Sequence, residues 1–182
     1  MQSSLLFLVK TLSDLYLLTF LLRFILQWMR ASYYNPLAQF VWRVTNPLVR
    51  PVRRVLPSTG AIDLATLVVL VVLECAATWL LLAIVGAHVS IAVFALFVVV
   101  RLVSLTLWFY AVAIFIYALL SWFAQQRYSP MGEVLGELVE PLLRPARRLL
   151  PPVAGFDIAP ALVMILLFAI IIGLPGLPPF LR

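Results

Sequence analysis

The sequence predicts an all-α membrane protein: four transmembrane helices in two parallel tandem repeats, each repeat carrying an amphipathic helical segment on the cytoplasmic surface. Three observations carry this expectation. First, 65% of the 182 residues are hydrophobic and 11% charged, against roughly 45–50% and about 25% in soluble globular chains. Second, the apolar residues fall into four runs long enough to cross a bilayer. Third, the second half of the chain repeats the first in one ungapped register. A mean hydropathy of +1.13 excludes a disordered chain, and a single cysteine, Cys75, excludes a disulfide scaffold.

A bilayer core of about 30 Å needs roughly 20 apolar residues per helical span. The first span is expected over about Leu5 to Met29, and it contains Lys10, Asp14 and Arg23. The second covers about Ile62 to Val85 with Glu74 inside it, the third about Val98 to Phe123, and the fourth about Phe156 to Leu177. Helices are required because lipid offers no partners to backbone N–H and C=O groups, and continuous apolar runs do not fit the alternation of a membrane barrel. The stretch from Val89 to Phe123 is too long for one crossing, which makes Val89 to Leu96 a candidate short outer-face or re-entrant helix. No basic region precedes the first apolar run, so the first helix is expected to be retained and not cleaved as a signal peptide.

Shifting the sequence by 94 positions places Trp28 on Trp122, Tyr34 on Tyr128 and Pro36 on Pro130. Pro47, Leu48, Arg50 and Pro51 fall on Pro141, Leu142, Arg144 and Pro145, and Arg53 and Arg54 fall on Arg147 and Arg148. Pro57 then meets Pro151, and Asp63 meets Asp157. Composition can make two apolar helices look alike, but it cannot align prolines, arginines and an aspartate in one register. The repeats are residues 1–88 and 89–182, each reading as span, polar segment, span.

Two crossings per repeat make both units enter the membrane from the same side. Basic residues concentrate in the polar segments: Arg30, Arg43, Arg50, Arg53 and Arg54 in the first, Arg127, Arg144, Arg147 and Arg148 in the second. The connector Gly86 to Ser90 has none. The positive-inside rule therefore sets both basic segments in the cytoplasm and both termini on the periplasmic side.

Within the surface segment 36–57, Leu37, Phe40, Val41 and Val44 recur at helical spacing. Pro47 is expected to restart the chain. A second helix then sets Leu48, Val52 and Val55 against Arg50, Arg53 and Arg54, with Pro51 confined to its first turn and Pro57 closing the unit. Segment 130–151 repeats this with Pro141, Pro145 and Pro151, and adds Glu133, Glu137 and Glu140, the last four residues before Arg144. Such helices either anchor the bundle or bind anionic lipid head groups or a partner protein through Arg43, Arg50, Arg53, Arg54, Arg144, Arg147 and Arg148. Nucleic acid is not an expected partner, because aromatic stacking platforms are absent.

The run Asn46-Pro47-Leu48-Val49-Arg50-Pro51-Val52-Arg53-Arg54-Val55-Leu56-Pro57, followed by Ile62-Asp63-Leu64, closely resembles the YggT family. Its copy, Glu140-Pro141-Leu142-Leu143-Arg144-Pro145-Ala146-Arg147-Arg148-Leu149-Leu150-Pro151 with Phe156-Asp157-Ile158, does so again. The resemblance, which extends to the related YlmG group, covers nearly the whole chain as two tandem units. It implies a bacterial inner-membrane protein and a link to osmotic or cation tolerance, to cell-division gene neighbourhoods or, among plastid relatives, to haem attachment. One departure is Gly155, which sits one position later in its unit than Gly60.

Ionisable groups within spans are costly, so Lys10, Asp14, Glu74 and Arg101, two cations and two acids at similar depth, are expected to form a neutral cluster. Lys10 and Asp14 are four apart, and Arg101 is expected to contact Glu74 or Asp14. This cluster is either an ion-pair network holding the repeats together or part of an ion or proton pathway. Asp63 and Asp157 are expected first as helix N-caps, and second as counter-ions to an arginine of their repeat or to Arg23, which should snorkel toward the cytoplasm.

No catalytic residue, metal site or cofactor is expected. Phosphate loops, serine elbows and Cys-x-x-Cys pairs are absent, and the lone histidine, His88, sits in the outer connector. Haem ligation by paired histidines is excluded within one chain. Gly132 and Gly136 have dimer-motif spacing, but they lie in a polar segment and carry little weight; the contacts considered are the bilayer with its anionic lipid, a membrane-protein partner and a second copy. The resulting expectation is a non-enzymatic membrane organiser or osmotic-stress factor, with an ion channel or transporter component as the alternative.

Overall fold

The computed structural model describes residues 2–29, 35–56, 63–122, 130–149, 157–174, 176–178 and 180–181, with the side chains of 121, 122, 130 and 131 outside that description. Pro57, Gly60, Pro151 and Gly155, and with them Arg30 and Arg127, lie outside the described residues. Six helices run in the order α1 (Gln2–Trp28), α2 (Pro36–Arg53), α3 (Leu64–Val85), α4 (Ile91–Trp122), α5 (Pro130–Leu149) and α6 (Ala159–Gly173). No strand occurs among the described residues.

Three of them, α1, α3 and α4, are long and apolar enough to cross a membrane. The apolar helix α6 has 15 residues, about 22 Å at 1.5 Å per residue. These helices expose large apolar side chains that water would not tolerate in such number: Phe7 (68%), Trp79 (65%), Ile165 (65%) and Ile172 (83%) stand among them. Lipid-facing surface accounts for that exposure, and the chain has the character of a membrane protein.

The turn between α3 and α4 is written in its residues. Gly86 takes φ 72°, its N–H bonds Ala83 O at 3.1 Å, and the N–H of Ala87 bonds Leu82 O at 3.0 Å. This is the double bond of a Schellman stop, which needs a residue without Cβ at the left-handed position. Four residues on, Ser90 opens α4: its carbonyl accepts from Phe94 N at 2.9 Å and its Oγ from Val93 N at 3.4 Å.

Two expectations are corrected here. Val89 to Leu96 is not a separate outer helix before a span starting at Val98, because α4 runs unbroken for 32 residues from Ile91. Nothing in that stretch, neither proline nor glycine, stops a helix. Likewise Pro47 does not restart the chain, and Pro51 is not in a first turn. Helix α2 continues through both, and α5 continues through Pro141 and Pro145. All four prolines are exposed, so the carbonyls they leave without an N–H donor lie on the outer side of each helix and not in its packed stripe. The start of α2 is conventional: Asn35 Oδ1 accepts from Leu37 N at 2.9 Å and Pro36 occupies the first helical position.

The chain packs as two compact units, residues 1–105 with 175–182, and residues 106–174. The boundary falls inside α4, so the repeat junction at 88/89 is a feature of the sequence and not of this packing division. In the first unit the core is built from the second half of α1 (Leu17, Phe20, Leu26), one stripe of α2 (Ala38, Val41, Val49) and α3 (Ala65, Leu70, Leu81). The second unit packs α5 (Val139, Leu143) with α6 (Val163, Leu167).

Candidate functional site

In the first unit, Arg101 on α4 donates from Nε to Glu74 Oε1 at 2.5 Å, from Nη2 to Asp14 Oδ1 at 2.8 Å and from Nη1 to the Leu181 carbonyl at 3.1 Å. Lys10 Nζ donates to the other oxygen of Asp14 at 2.8 Å, and Thr78 Oγ1 to Glu74 Oε1 at 3.0 Å. The structure thus brings together all four groups of the expected cluster. Glu74 (1% exposed) and the Arg101 side chain (4%) are buried, while Lys10 and Asp14 remain 27% exposed. Two opposite pairs at this depth satisfy one another, which is what removal from water demands of charged groups. Sequence reasoning missed Thr78, although its position one turn from Glu74 was a usable signal, and it missed Leu181, for which the sequence holds no signal.

The second repeat departs here. The positions 94 residues after Asp14 and Glu74 are Trp108 and Phe168, whose rings meet edge to face at 5.6 Å. Where the first unit holds acids, the second holds an aromatic contact.

A second arrangement joins α2 to the start of α3 and α5 to the start of α6. Arg53 Nη2 donates to Asp63 Oδ2, which also accepts from Thr66 Oγ1 at 2.6 Å and lies 3.9 Å from Arg23 Nε. Arg23 Nη1 donates to Thr45 Oγ1 at 2.6 Å and to Asn46 Oδ1 at 2.9 Å. In the second unit Arg147 Nε donates to Asp157 Oδ2 at 2.9 Å, Nη1 to Glu140 Oε2 at 2.7 Å and Nη2 to the Tyr117 hydroxyl at 3.3 Å. Partial burial alone would lower the Arg147 pKa, but the hydrogen bonds to Tyr117 and Asp157 and the charge of Asp157 outweigh it and raise it.

Two roles change as a result. Asp63 makes no side-chain cap bond, because an arginine and Thr66 hold its carboxylate; it serves as the counter-ion. Asp157 does both jobs, since its Oδ1 also accepts from Ala159 N at 3.0 Å. Arg23 does not snorkel: at 2% exposure it is enclosed between α1, α2 and the start of α3, where polar partners were waiting.

The other basic residues stand differently. Arg43 and Arg50 on α2, and Arg54 just past its end, are exposed and have no ionic partner among the described residues. On the same helix Phe40 (59%) and Leu48 (39%) are exposed apolar groups, while Ala38, Val41, Thr45 and Val49 form the packed stripe. On α5, Arg144 Nε lies 3.5 Å from Glu140 Oε1 at 67% exposure, and Arg148 is exposed. Gly136 sits against Tyr117: a Cβ added there would meet Tyr117 Cε2 at 3.6 Å. His88 is exposed, and no three His, Cys, Asp or Glu side chains among the described residues are grouped to hold a metal.

Comparison with known proteins matches the chain twice. The CCB3/YggT family model matches residues 2–85 and again residues 96–177. An uncharacterised protein of Pseudomonas aeruginosa is 38% identical over 162 residues, covering 88% of this chain and 82% of its own length. The uncharacterised YggT protein of Escherichia coli K12 is 37% identical over 172 residues, 94% of this chain and 89% of its own. An uncharacterised protein of Vibrio alginolyticus is 39% identical over 163 residues, 87% and 86% respectively. No solved structure gives a significant match. With both halves of the chain matching one family model, and relatives above 30% identity over most of their length, the chain belongs to the CCB3/YggT family.

Proposed function

We propose that this chain is a non-enzymatic organiser of a bacterial inner membrane that gathers anionic lipid around its basic surface helices. In this reading four spans lie in two same-sense repeats, with α6 and its flanking apolar residues as the fourth. Helices α2 and α5 then lie in the cytoplasmic interface, each with an arginine-bearing polar face and an apolar face. The observation that carries the reading is the row Arg43, Arg50 and Arg54, exposed without an ionic partner among the described residues on a helix that also exposes Phe40 and Leu48. Cations set next to exposed apolar side chains match the boundary between phosphate head groups and acyl chains.

An ion-conducting role has less support. The four charges of the Arg101 cluster, Lys10, Asp14, Glu74 and Arg101, are neutral as a set and tied to one another, as a structural network would be. A role in osmotic stress is the physiological setting in which a lipid organiser would matter.

Two measurements test the reading. Single cysteines at positions 50 and 144 should both react with a membrane-impermeant maleimide only from the cytoplasmic side. Purified protein should retain anionic over zwitterionic phospholipid, and glutamine at 43, 50, 54, 144 and 148 together should abolish the preference. Labelling from opposite sides, or a wild-type protein indifferent to head-group charge, would refute it. Cation flux through proteoliposomes, lost in Glu74→Gln, would favour conduction instead.

A further inference from the structure

The two surface helices descend from one repeat, yet they differ in the features that hold a lipid. Helix α2 has no acidic residue, whereas α5 carries Glu133, Glu137 and Glu140. At the 94-residue offset Gln39 becomes Glu133, Arg43 becomes Glu137 and Asn46 becomes Glu140. The sign of the charge is therefore reversed at one position of the polar face, and negative charge is added at two others. What positive charge α5 retains is partly engaged: Arg147 by Glu140 and Asp157, and Arg144 by Glu140.

The apolar side of the face has changed as well, and this is an independent observation. Phe40 is 59% exposed, but its counterpart Val134 is 6% exposed. Leu48 is exposed, and its counterpart Leu142 is half-buried. Helix α2 thus presents exposed arginines together with apolar groups free to meet acyl chains; on α5 Val134 is buried and Leu142 half-buried. The occupant of the α2 face must satisfy both halves of it. Free phosphate would use the cations and leave Phe40 and Leu48 in water, whereas an anionic phospholipid uses both. Arg50 and Arg54 are one helical turn apart, about 5.4 Å of pitch, a spacing at which two guanidinium groups reach one phosphodiester.

Resting on the lipid reading above, we infer that anionic phospholipid is held by the first repeat alone, by Arg43, Arg50 and Arg54 together with the exposed Phe40 and Leu48, and that α5 has no head-group preference. Arg53 and Arg147 are excluded from the lipid set because each is committed to its aspartate.

Native mass spectrometry of the full chain, released from micelles loaded with equimolar dioleoyl phosphatidylglycerol and dioleoyl phosphatidylcholine, tests this directly. The wild type should retain phosphatidylglycerol in preference, and the preference should weaken as salt rises. The R43Q/R50Q/R54Q variant should lose the preference by about ten-fold or more, from surface arginines acting additively. The R144Q/R148Q variant should stay within about two-fold of wild type on the same scale. Since Arg43 makes no described contact, Arg43→Gln alone should fold normally and lower the preference by about two- to five-fold. Equal losses in the two multiple variants, or a loss only in the α5 variant, would overturn the assignment to the first repeat while leaving lipid binding intact. A wild type with no preference would remove the lipid reading altogether, as an acidic protein partner on this face would predict.

Discussion

Arg147 reaches Asp157 across ten residues, Nε to Oδ2 at 2.9 Å, and Arg53 reaches Asp63 across the same ten. Each pair ties the C-terminal part of α2 or α5 to the residues that open the next apolar helix. The recurrence of two arginines followed by an aspartate is therefore explained by the reach of the first arginine of each pair to its aspartate, with the neighbouring Arg54 and Arg148 left on the surface. The shared geometry sits in different surroundings. Asp63 is fully buried beside Arg23 at 2% exposure, whereas Arg147 and Asp157 are 30% and 32% exposed.

That difference predicts unequal costs. Asp63→Ala removes the counter-charge from an enclosed Arg23 and from Arg53, so its loss should cost about 3–5 kcal/mol. Asp157→Ala breaks a half-exposed pair and one backbone bond, and should cost about 1–2 kcal/mol. Thermal unfolding in detergent micelles should rank them in that order. Equal shifts in melting temperature would mean that burial does not govern the two pairs.

Arg101→Leu should destabilise the protein by about 3–5 kcal/mol, because it strands Glu74 and Asp14 without their shared cation. Adding Glu74→Gln in the same chain should restore part of that loss. A double-mutant cycle should return a coupling of about 1–3 kcal/mol, and strict additivity would show that the two side chains act separately.

Gly86→Ala should cost about 1 kcal/mol through the backbone alone, since φ is 72° and nothing lies within 4 Å of an added Cβ. Gly173→Ala, equally open but without positive φ, is the control and should be neutral or stabilising in the same unfolding assay.

The parts of this fold that were legible in the sequence are those where one physical rule acts alone. Continuous apolarity located α1, α3 and α4, and the cost of charge in lipid brought Lys10, Asp14, Glu74 and Arg101 into one argument. Reading failed where two rules compete. Bilayer thickness suggested a break before Val98, but the chain from Ile91 onward contains no residue that ends a helix. Proline suggested a restart at 47 that would put 51 in a first turn, but an exposed ring leaves its orphaned carbonyl outside the core, so the cost is small enough for packing of Val41, Thr45 and Val49 to carry the helix through. Arg23 would snorkel from an isolated helix; here Thr45, Asn46 and Asp63 form a polar enclosure that no local pattern announces.

Gly136 offers a test of how the second unit holds Arg147. An alanine there would place its Cβ 3.6 Å from Tyr117 Cε2, an ordinary contact, and would relieve the entropy cost of glycine inside a helix. Gly136→Ala should therefore stabilise the protein by about 0.5–1 kcal/mol. Leucine at the same place has to displace the Tyr117 ring, whose hydroxyl accepts from Arg147 Nη2 at 3.3 Å, so Gly136→Leu should destabilise by about 1–3 kcal/mol. Tyr117→Phe removes only the acceptor and should cost about 0.5–1.5 kcal/mol. In the Tyr117→Ala background, where the ring is gone, the penalty for Gly136→Leu should largely disappear. If it persists there, the close approach of α5 to Tyr117 is not what requires a small residue at position 136.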